Sequence, residues 1–401
     1  MKIPSPLPRT INATQMRQVN RSAILELVRQ FSPIARSEIS RLLELSMPTV
    51  IRIVDELIEG GLVRSTGETA GETGRPRELL EYNKNGGTVI GIDLSGTKLY
   101  GALANIGGEI LGEVRRSQHG SSGEDSFSLV AEMIQFLIQQ ADESKQKLLG
   151  VAVGAPGVTH VEDGVVEWAP SLNWRNFPLK QRLSERFHLP VVVDNDVNLA
   201  VLGEQWFGTG QGIHNLVLIA IGTGMGAGLV IDDVIYRGHH EAAGEVGYLL
   251  PDVKALDQRY DQFGAMENIV SGSGIAARAA RLLSTSQPSE KIEAITANDV
   301  FDLARQGEPW AIQIVQETAD YLSLVIANTS TLLDPELIIL SGGVSTSLAQ
   351  LVPLILERLD GVIQYIPRVE VSTLGAKATA MGAISLILHL TNNYYLVRRL
   401  S

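Results

Sequence analysis

Cysteine is absent from this chain of 401 residues, and so is any apolar run close to the about 20 residues that a membrane-spanning helix needs. Without cysteine the protein can form neither a disulfide nor a metal site built on thiolates. The first residues also lack the apolar core of a secretory signal. These absences predict a soluble, cytoplasmic protein, and the length predicts two or three domains.

A strong excess of basic charge is also absent. The formal net charge is −12, but it is unevenly distributed: residues 1–85 carry twelve Lys and Arg against ten Asp and Glu, whereas the remainder carries 21 against 35. Nucleic acid repels such an acidic body. Any contact with DNA must therefore be local and made by the first segment.

The first segment, residues 1–86, has the pattern of a winged helix-turn-helix domain. Its apolar residues recur first at helical and then at strand spacing. The predicted elements are helices over 14–31, over 37–43 and from the cap Ser46 to Gly60-Gly61, then strands over 62–64 and 78–82 around a glycine-rich tip. In a domain of this order the third helix enters the major groove of DNA.

The outward face of that third helix and the tip of the wing carry the candidate DNA contacts. An arginine on the helix can pair with guanine or phosphate, and a threonine can bond a phosphate or a base. A thin Gly-Arg-Pro tip suits a narrow minor groove. The predicted DNA-binding residues are Ser46, Thr49, Arg52, Arg75 and Arg77. The alternative is a small helical module that binds protein, because three-helix arrangements are common.

The rest of the chain contains two strand–turn–strand units rich in glycine, at 89–103 and 216–231. Each opens an α/β pattern, which predicts two α/β lobes, 87–200 and 201–401, with a ligand site in the cleft between them. The last helix is expected to return to the first lobe. A third glycine turn follows a buried strand at 341–343. Glycine lets the backbone approach a ligand closely, and the N–H groups of such turns can receive phosphate oxygens.

In these motifs the whole chain resembles the ROK family, which joins repressors, open reading frames and sugar kinases. The phosphate and adenosine motifs of the family are matched by residues 91–98, 222–228 and 340–343, and its sugar-binding segments by 171–174, 195–196 and 244–247. The resemblance is to the form that carries an N-terminal winged helix. It implies an α/β chain in which that domain precedes a two-lobed, actin-like ATPase fold.

The resemblance also implies roles for individual residues. Asp196 would be the general base that accepts the proton of a sugar hydroxyl during phosphoryl transfer. Sugar contacts would come from Asn173, Asn195, Asp196, Glu245, Tyr248 and Glu267. An ATP site, with Asp93 able to hold Mg²⁺, would be formed by Asp93, Ser95, Gly96, Thr97, Lys98, Gly222, Thr223, Gly224, Gly226, Gly342 and Gly343. Taken alone, Asp194-Asn195-Asp196 is also typical of a turn and a helix N-cap.

Several positions depart from the family pattern. Tyr248 stands where the family has a zinc-binding histidine that also contacts sugar, and the three zinc-binding cysteines are replaced by Gln258, Tyr260 and Ala265. Because zinc requires nitrogen or sulfur ligands, we expect no zinc. The loop 249–266 would instead be held by packing of Leu249, Leu250, Leu256, Tyr260 and Phe263. Ser95 replaces a glycine of the first phosphate turn, which crowds that turn.

These features predict a sugar-responsive transcriptional regulator, most simply a repressor of genes for carbohydrate uptake or catabolism. Its partners would be operator DNA and a sugar, it would act as a homodimer or homotetramer, and it would need no cofactor for regulation. One alternative is an ATP-dependent sugar kinase that uses Mg-ATP and Asp196. Another is a regulator controlled by a protein partner.

Overall fold

The computed structural model describes residues 13–70, 77–95, 98–118, 123–143, 145–260, 263–286, 295–343 and 345–391. The first segment forms a winged helix-turn-helix, as predicted. Its elements are α1 (Ala13–Phe31), β1 (Ile34–Ala35), α2 (Arg36–Leu42), α3 (Met47–Glu59), β2 (Val63–Ala70) and β3 (Arg77–Tyr82). The three strands form an antiparallel sheet in the order β1-β3-β2.

Local signals explain the boundaries of α3. The Ser46 hydroxyl accepts a hydrogen bond from the backbone N–H of Thr49 at 3.4 Å, and Pro48 occupies the first turn, where a proline removes no helical hydrogen bond. The helix ends at Gly60. Its apolar face, which includes Val50 and Ile53, is fully buried against α1, α2 and β2.

The second part of the chain builds the first α/β lobe. Its elements are β4 (Thr88–Asp93), β5 (Lys98–Asn105), β6 (Ile110–Ser117), α4 (Glu124–Glu143), β7 (Leu148–Ala155), β8 (Val158–His160), β9 (Val165–Ala169), β10 (Trp174–Phe177), α5 (Leu179–Phe187), β11 (Val191–Asn195) and α6 (Asp196–Phe207). The main sheet has the order β11-β7-β4-β5-β6, in which β11, β7 and β4 run parallel. The small antiparallel sheet β8-β9-β10 was not predicted.

The third part builds the second lobe on a similar plan. Its elements are β12 (Leu216–Ile221), β13 (Met225–Ile231), β14 (Val234–Ile235), α7 (Glu267–Val270), α8 (Gly272–Ser286), α9 (Ala297–Arg305), α10 (Pro309–Leu333), β15 (Leu337–Ser341), α11 (Ser345–Leu348), α12 (Val352–Leu359), β16 (Arg368–Val371) and α13 (Ala378–Thr391). The sheet has the order β14-β13-β12-β15-β16, with β12, β15 and β16 parallel.

The apolar pattern over residues 347–358 has helical spacing, but the helix is interrupted in the structure. A 3₁₀ turn, Ala349–Leu351, separates α11 from α12. Pro353 lies in the first turn of α12 and has no backbone N–H, so a continuous helix would lose a hydrogen bond there. Within the described residues no helix is long and apolar enough to cross a membrane.

Helices α6 and α13 cross at the centre of the body. The crossing is close because Gly203 and Gly382 lie in it: a Cβ at Gly203 would overlap the carbonyl oxygen of Ala378, and one at Gly382 would overlap that of Leu199. Helix α13 packs on β4 and β7 of the first sheet, and α6 packs on β12 and β13 of the second. This helix pair therefore lies between the two sheets.

Candidate functional site

The carboxyl ends of the parallel strands in the first lobe bring two carboxylates together. Asp93 ends β4 opposite Gly154 of β7, and Asn195 ends β11 opposite Ala155. Asp196 follows at once as the first residue of α6, and a Cβ added at Gly154 would lie 3.3 Å from its Cα. Open α/β sheets bind their ligands at this edge.

Asn195 caps α6. Its Oδ1 accepts hydrogen bonds from the N–H groups of Val197 (2.9 Å) and Asn198 (3.0 Å), and its Nδ2 donates to the carbonyl of Gly157 at 2.9 Å. The alternative interpretation of the sequence, in which these residues form a turn and a helix N-cap, is therefore correct for the local structure at Asn195. The cap directs the helix so that Asp196 stands at the edge of the sheet.

The two carboxylates influence each other. Burial, followed by the negative charge of Asp93, raises the pKa of Asp196 to about 8. Burial also raises the pKa of Asp93 to about 6, although its Oδ1 accepts the Ser95 N–H at 2.9 Å. A carboxyl group whose pKa is raised in this way has the proton affinity that suits a general base.

Glu245 and Glu267 come from the second lobe. The Oε1 of Glu267 accepts the N–H of Met225 at 2.8 Å, and its Oε2 accepts that of Gly264 at 3.1 Å. Burial, then the charge of Glu267, raises the pKa of Glu245. The charge of Glu245 in turn helps to raise the pKa of Asp196, so the carboxylates of the two lobes lie close enough to interact electrostatically.

Tyr248 lies at the opening of this cleft. Its side chain is 45% exposed, and burial followed by the charges of Glu245 and Glu267 raises the pKa of its hydroxyl.

Asn173 is exposed in a left-handed turn (φ 53°) just before β10. Strand β10, which follows Asn173, pairs with β9, and Gly157 packs against the backbone of Trp168 in β9. The carbonyl of Gly157 in turn accepts a hydrogen bond from Asn195, which connects the Asn173 turn to the end of β11.

The glycine turns of the second lobe lie side by side. Strands β12 and β15 are parallel, with Ala220 opposite Ser341, so Gly222 and Gly343 follow neighbouring strand ends. A Cβ at Gly222 would have its nearest neighbour at 4.0 Å, and one at Gly343 would have none within 4 Å. Both glycines therefore border open space.

Hydrogen bonds from the start of α8 stabilise the first of these turns. The N–H of Gly272 donates to the carbonyl of Gly222 at 2.7 Å, and the hydroxyl of Ser273 donates to the carbonyl of Thr223 at 2.6 Å. At Gly224 a Cβ would overlap the carboxylate of Glu267, so the turn adjoins that carboxylate. The remaining predicted glycine of this motif, Gly226, lies in β13.

The first phosphate turn is described only in part. Gly96 and Thr97 lie outside the described residues, and Lys98 begins β5. Asp93 is buried at the end of β4, and no group of three His, Asp or Glu in the described part of the chain is arranged around a metal position.

The loop that replaces the zinc segment is not held as predicted. Leu250, Leu256 and Phe263 are exposed rather than packed, with Leu256 67% exposed. Leu249 alone of the predicted leucines packs against the core of the second lobe. Hydrogen bonds hold parts of the loop instead. The carboxylate of Asp252 accepts the Ala255 N–H at 3.0 Å, and the carboxylate of Glu267 accepts the Gly264 N–H.

Sequence reasoning missed a buried ion pair beside this cleft. Arg237, which follows β14, donates through Nη2 to Oδ2 of Asp194 at 2.6 Å. Asp194 is 0% exposed, and burial raises its pKa although the charge of Arg237 opposes that shift. In the sequence Asp194 stands out only as the first residue of Asp194-Asn195-Asp196, and nothing there indicates that Arg237 is its partner.

The candidate DNA face is exposed along α3. Ser46 and Arg52 are exposed, whereas Thr49 is half-buried with its hydroxyl 2.8 Å from that of Ser46. Arg77 is exposed at the start of β3, and Arg75 lies outside the described residues. The carboxylates on the same face are partly neutralised by ion pairs of Arg17 with Glu56 (2.5 Å) and of Arg36 with Asp55 (3.0 Å).

Helix α6 runs from the carboxylate cleft to the winged helix. It starts at Asp196 and, with 12 residues, reaches about 18 Å at the usual helical rise. In its last turn Trp206 lies under the guanidinium of Arg29 in α1, which is 5.7 Å from the ring centroid. Next to it, Phe207 packs on Gly108.

A second contact reinforces this junction between the first segment and the body. The hydroxyl of Tyr82 at the end of β3 donates to the carbonyl of Ile106 at 2.8 Å. One continuous buried apolar cluster includes Ile24 and Leu80 of the winged helix together with Ile106 and Leu202 of the body. The winged helix is thus packed against the part of the body in which α6 ends.

Comparison with known proteins agrees with this architecture. The ROK family model matches residues 89–389. The xylose repressor of Caldicellulosiruptor bescii is 30% identical over 391 residues, covering 94% of this chain and 97% of the repressor. A similar crystal structure is that of a ROK family transcriptional regulator described as a homologue of the E. coli MLC protein, with a TM-score of 0.82, 27% identity and coverage of 96% and 98% of the two chains.

A kinase is also similar, but over the body only. The ROK family glucokinase from Streptomyces griseus, in complex with glucose and AMPPNP, has a TM-score of 0.66 and 28% identity, and the match covers 75% of this chain and 99% of the glucokinase. The resemblance drawn from the sequence motifs is confirmed by these comparisons. The chain belongs to the ROK family.

Proposed function

We propose that this protein is a sugar-responsive transcriptional repressor that binds operator DNA through its winged helix and a sugar in the cleft between its lobes. One observation carries the proposal: the helix that presents Asp196 to the cleft ends on the winged helix at Trp206. A kinase has no need for such a connection. The full-length similarity to a xylose repressor supports the same conclusion and makes xylose the first sugar to test.

The sugar side of the proposal follows from the chemistry of the cleft. Vicinal hydroxyls both donate and accept hydrogen bonds, and Asp196, Glu245 and Glu267 offer acceptors on two facing walls. We infer additional contacts from Asn173 and Tyr248, while Asn195 supports Asp196 through its cap. Leaving one such buried group unpaired costs about 1–3 kcal/mol, which gives the cleft selectivity among sugars.

The DNA side rests on α3 and the wing. Arg52 would read a guanine or bind a phosphate, Ser46 and Thr49 would contact the backbone, and Arg75 and Arg77 would place the wing beside the minor groove. In a dimer, two recognition helices read half-sites about one helical turn, or a multiple of it, apart. We propose domain boundaries of 1–86, 87–200 and 201–401, with α13 returning to the first lobe.

Regulation requires the sugar to bind the DNA-free arrangement more tightly than the DNA-bound one. Moving a population from 1:99 to 99:1 takes about 5.5 kcal/mol of such preference. Closure of the two lobes on the sugar would move the start of α6, and α6 would carry that displacement to α1. No cofactor is needed for this sequence of events.

ATP-dependent sugar phosphorylation is the second candidate. It is favoured by the position of Asp196, whose raised pKa suits a general base, and by the open space beside Gly222 and Gly343. A bound Mg-ATP would supply the phosphoryl group. Asp196 would accept the proton of the attacking hydroxyl, Asp93 would face the cation, and the two glycine turns would hold the nucleotide.

The test starts by selecting binding sites from a random double-stranded DNA pool with the purified protein. Fluorescence anisotropy on the selected DNA then follows release by D-xylose, D-glucose and an amino sugar, each with and without Mg-ATP. We expect one sugar to release the DNA without ATP. Selection of no DNA, or release by none of the sugars, contradicts the repressor proposal. Turnover of a sugar with ATP at about 1–100 s⁻¹ would make the kinase the principal function.

A further inference from the structure

The buried ion pair of Asp194 and Arg237 joins the two walls of the sugar cleft. Asp194 belongs to β11 of the first lobe, and Arg237 follows β14 of the second. Their atoms Oδ2 and Nη2 lie 2.6 Å apart, with Asp194 0% and Arg237 22% exposed. A carboxylate removed from water in this way is strongly destabilising when it loses its partner, because its charge is then uncompensated.

Each member of the pair is bonded to one wall. The Oδ1 of Asp194 accepts the N–H of Asn195 at 2.7 Å, directly before Asp196. The carbonyl of Arg237 accepts the N–H of Ala243 at 2.9 Å, which closes the loop that leads to Glu245. The ion pair therefore connects the strand end that carries Asp196 to the loop that carries Glu245.

The end of that loop is itself rigidly held. The carbonyl of Gly244 accepts the N–H of Ala227 at 2.7 Å, and Gly244 adopts φ +92°. A side chain there would overlap the carbonyl of Ala227. Backbone hydrogen bonds at Arg237 and Gly244 thus hold both ends of the segment that leads to Glu245, so the position of Arg237 constrains that of Glu245. Glu241, whose Oε2 lies 3.8 Å from Nε of Arg237, is a weaker second partner.

We propose that Arg237 is a positioning residue that sets the separation of Asp196 and Glu245 and thereby the affinity for sugar, without itself contacting the sugar. The inference rests on the proposed function, because it concerns the same cleft. In this proposal Asp194 accepts the hydrogen bond of Arg237 and does not bind the ligand. The charge balance of the pair, and not only its packing, keeps Asp196 and Glu245 at a fixed separation.

The experiment is a double-mutant cycle with Arg237→Met, Asp194→Asn and the double variant, in which calorimetry measures D-xylose and D-glucose binding to the full chain. Coupled neighbours typically differ from additivity by an amount equivalent to about 2- to 150-fold in affinity. We expect Arg237→Met to weaken binding of the sugar that the wild type binds about tenfold or more. The double variant should recover most of that loss because it no longer buries an unpaired charge.

Arg278→Met is the matched control. Arg278 pairs with Glu317 in the second lobe and is comparably buried, so its loss should change thermal stability while leaving sugar affinity within about twofold of the wild type. Arg237→Lys keeps the charge, and we expect a smaller loss than with methionine; it also serves if Arg237→Met does not fold.

The outcomes separate the two proposals. A wild type that binds neither sugar counts against the proposed function. A wild type that binds sugar while Arg237→Met binds equally well overturns the inference. So does an affinity loss that Asp194→Asn fails to relieve, or one that lysine and methionine share equally, since charge balance would then play no part.

Discussion

Replacing Trp206 with alanine should separate sugar binding from DNA release if α6 carries the signal. The substitution removes the ring beneath the Arg29 guanidinium in the last turn of α6 and leaves the cleft at the other end of the helix unchanged. The sugar site and the DNA-binding face of α3 each retain all of their own residues. What is lost is the contact through which α6 meets α1.

The size of the effect follows from that contact. A cation–π pair contributes about 0.5–1 kcal/mol when exposed and about 2 kcal/mol when desolvated, and this one is intermediate because Trp206 is half-buried. Allosteric coupling free energies are typically about 1–3 kcal/mol. Losing about 1 kcal/mol of coupling corresponds to about a fivefold smaller effect of sugar on the affinity for DNA.

The assay measures four equilibria on each variant: sugar alone, DNA alone, sugar with DNA bound and DNA with sugar bound. Thermodynamic linkage requires the two coupling factors to agree, which provides an internal check. Trp310→Ala is the control, because Trp310 is also half-buried and packs against the core of the second lobe. It should lower thermal stability and leave the coupling factor unchanged.

Two results would refute the reasoning. If Trp206→Ala responds to sugar with the wild-type coupling factor, α6 is not the route. If it loses sugar affinity as strongly as it loses coupling, Trp206 acts on the cleft itself and not on communication.

Three further predictions address the cleft and the DNA face. Asp196→Asn should flatten the pH dependence of stability. The pKa of Asp196 in the folded state, about 8, exceeds the ordinary aspartate value of 3.8, so the folded state binds more protons and stability falls as pH rises from about 4 to 8. Melting temperatures of variant and wild type that stay parallel over this range would contradict this prediction. Gly244→Ala should lower both the sugar affinity and the free energy of unfolding. The control is Gly212→Ala, where φ is +76° and no atom lies within 4 Å of the added Cβ, so only about 1–2 kcal/mol of backbone strain is expected, and Gly244→Ala should lose clearly more. Equal losses of unfolding free energy in denaturant titrations of the two variants would exclude the predicted clash at Gly244. Arg52→Ala should weaken DNA binding without changing sugar affinity, and if Arg52 contacts phosphate the slope of log affinity against log salt should drop by about one; unchanged DNA affinity would remove α3 as the recognition helix.

Structural features could be predicted from the sequence where the residues that cause them lie within a few positions of one another. Ser46, Pro48 and Gly60 set the bounds of α3 through capping and backbone geometry. The glycine turns after β12 and β15 were identified because each is short and follows a buried strand. The break before α12 is hard to recognise in the sequence although Pro353 marks it, because the apolar period continues on both sides of it.

Contacts between distant residues could not be predicted in this way. The exposure of Leu250, Leu256 and Phe263 depends on how much room the core of the second lobe leaves, which no local pattern records. The small sheet β8-β9-β10 forms from strands as short as three residues, too short for a clear period.

The sequence by itself determined the order of the elements, the winged helix, the two glycine-rich lobes and the motifs that relate the chain to its family. Those properties depend on periodicity, caps and turn residues, which act between neighbours along the chain. Only the tertiary structure decided that Arg237 pairs with Asp194, that Glu267 holds two backbone N–H groups, and that α6 ends beneath Arg29. Apart from the bond between Glu267 and Gly264, each of these contacts joins residues about forty or more positions apart. Packing of the two sheets around α6 and α13 brings these residues together.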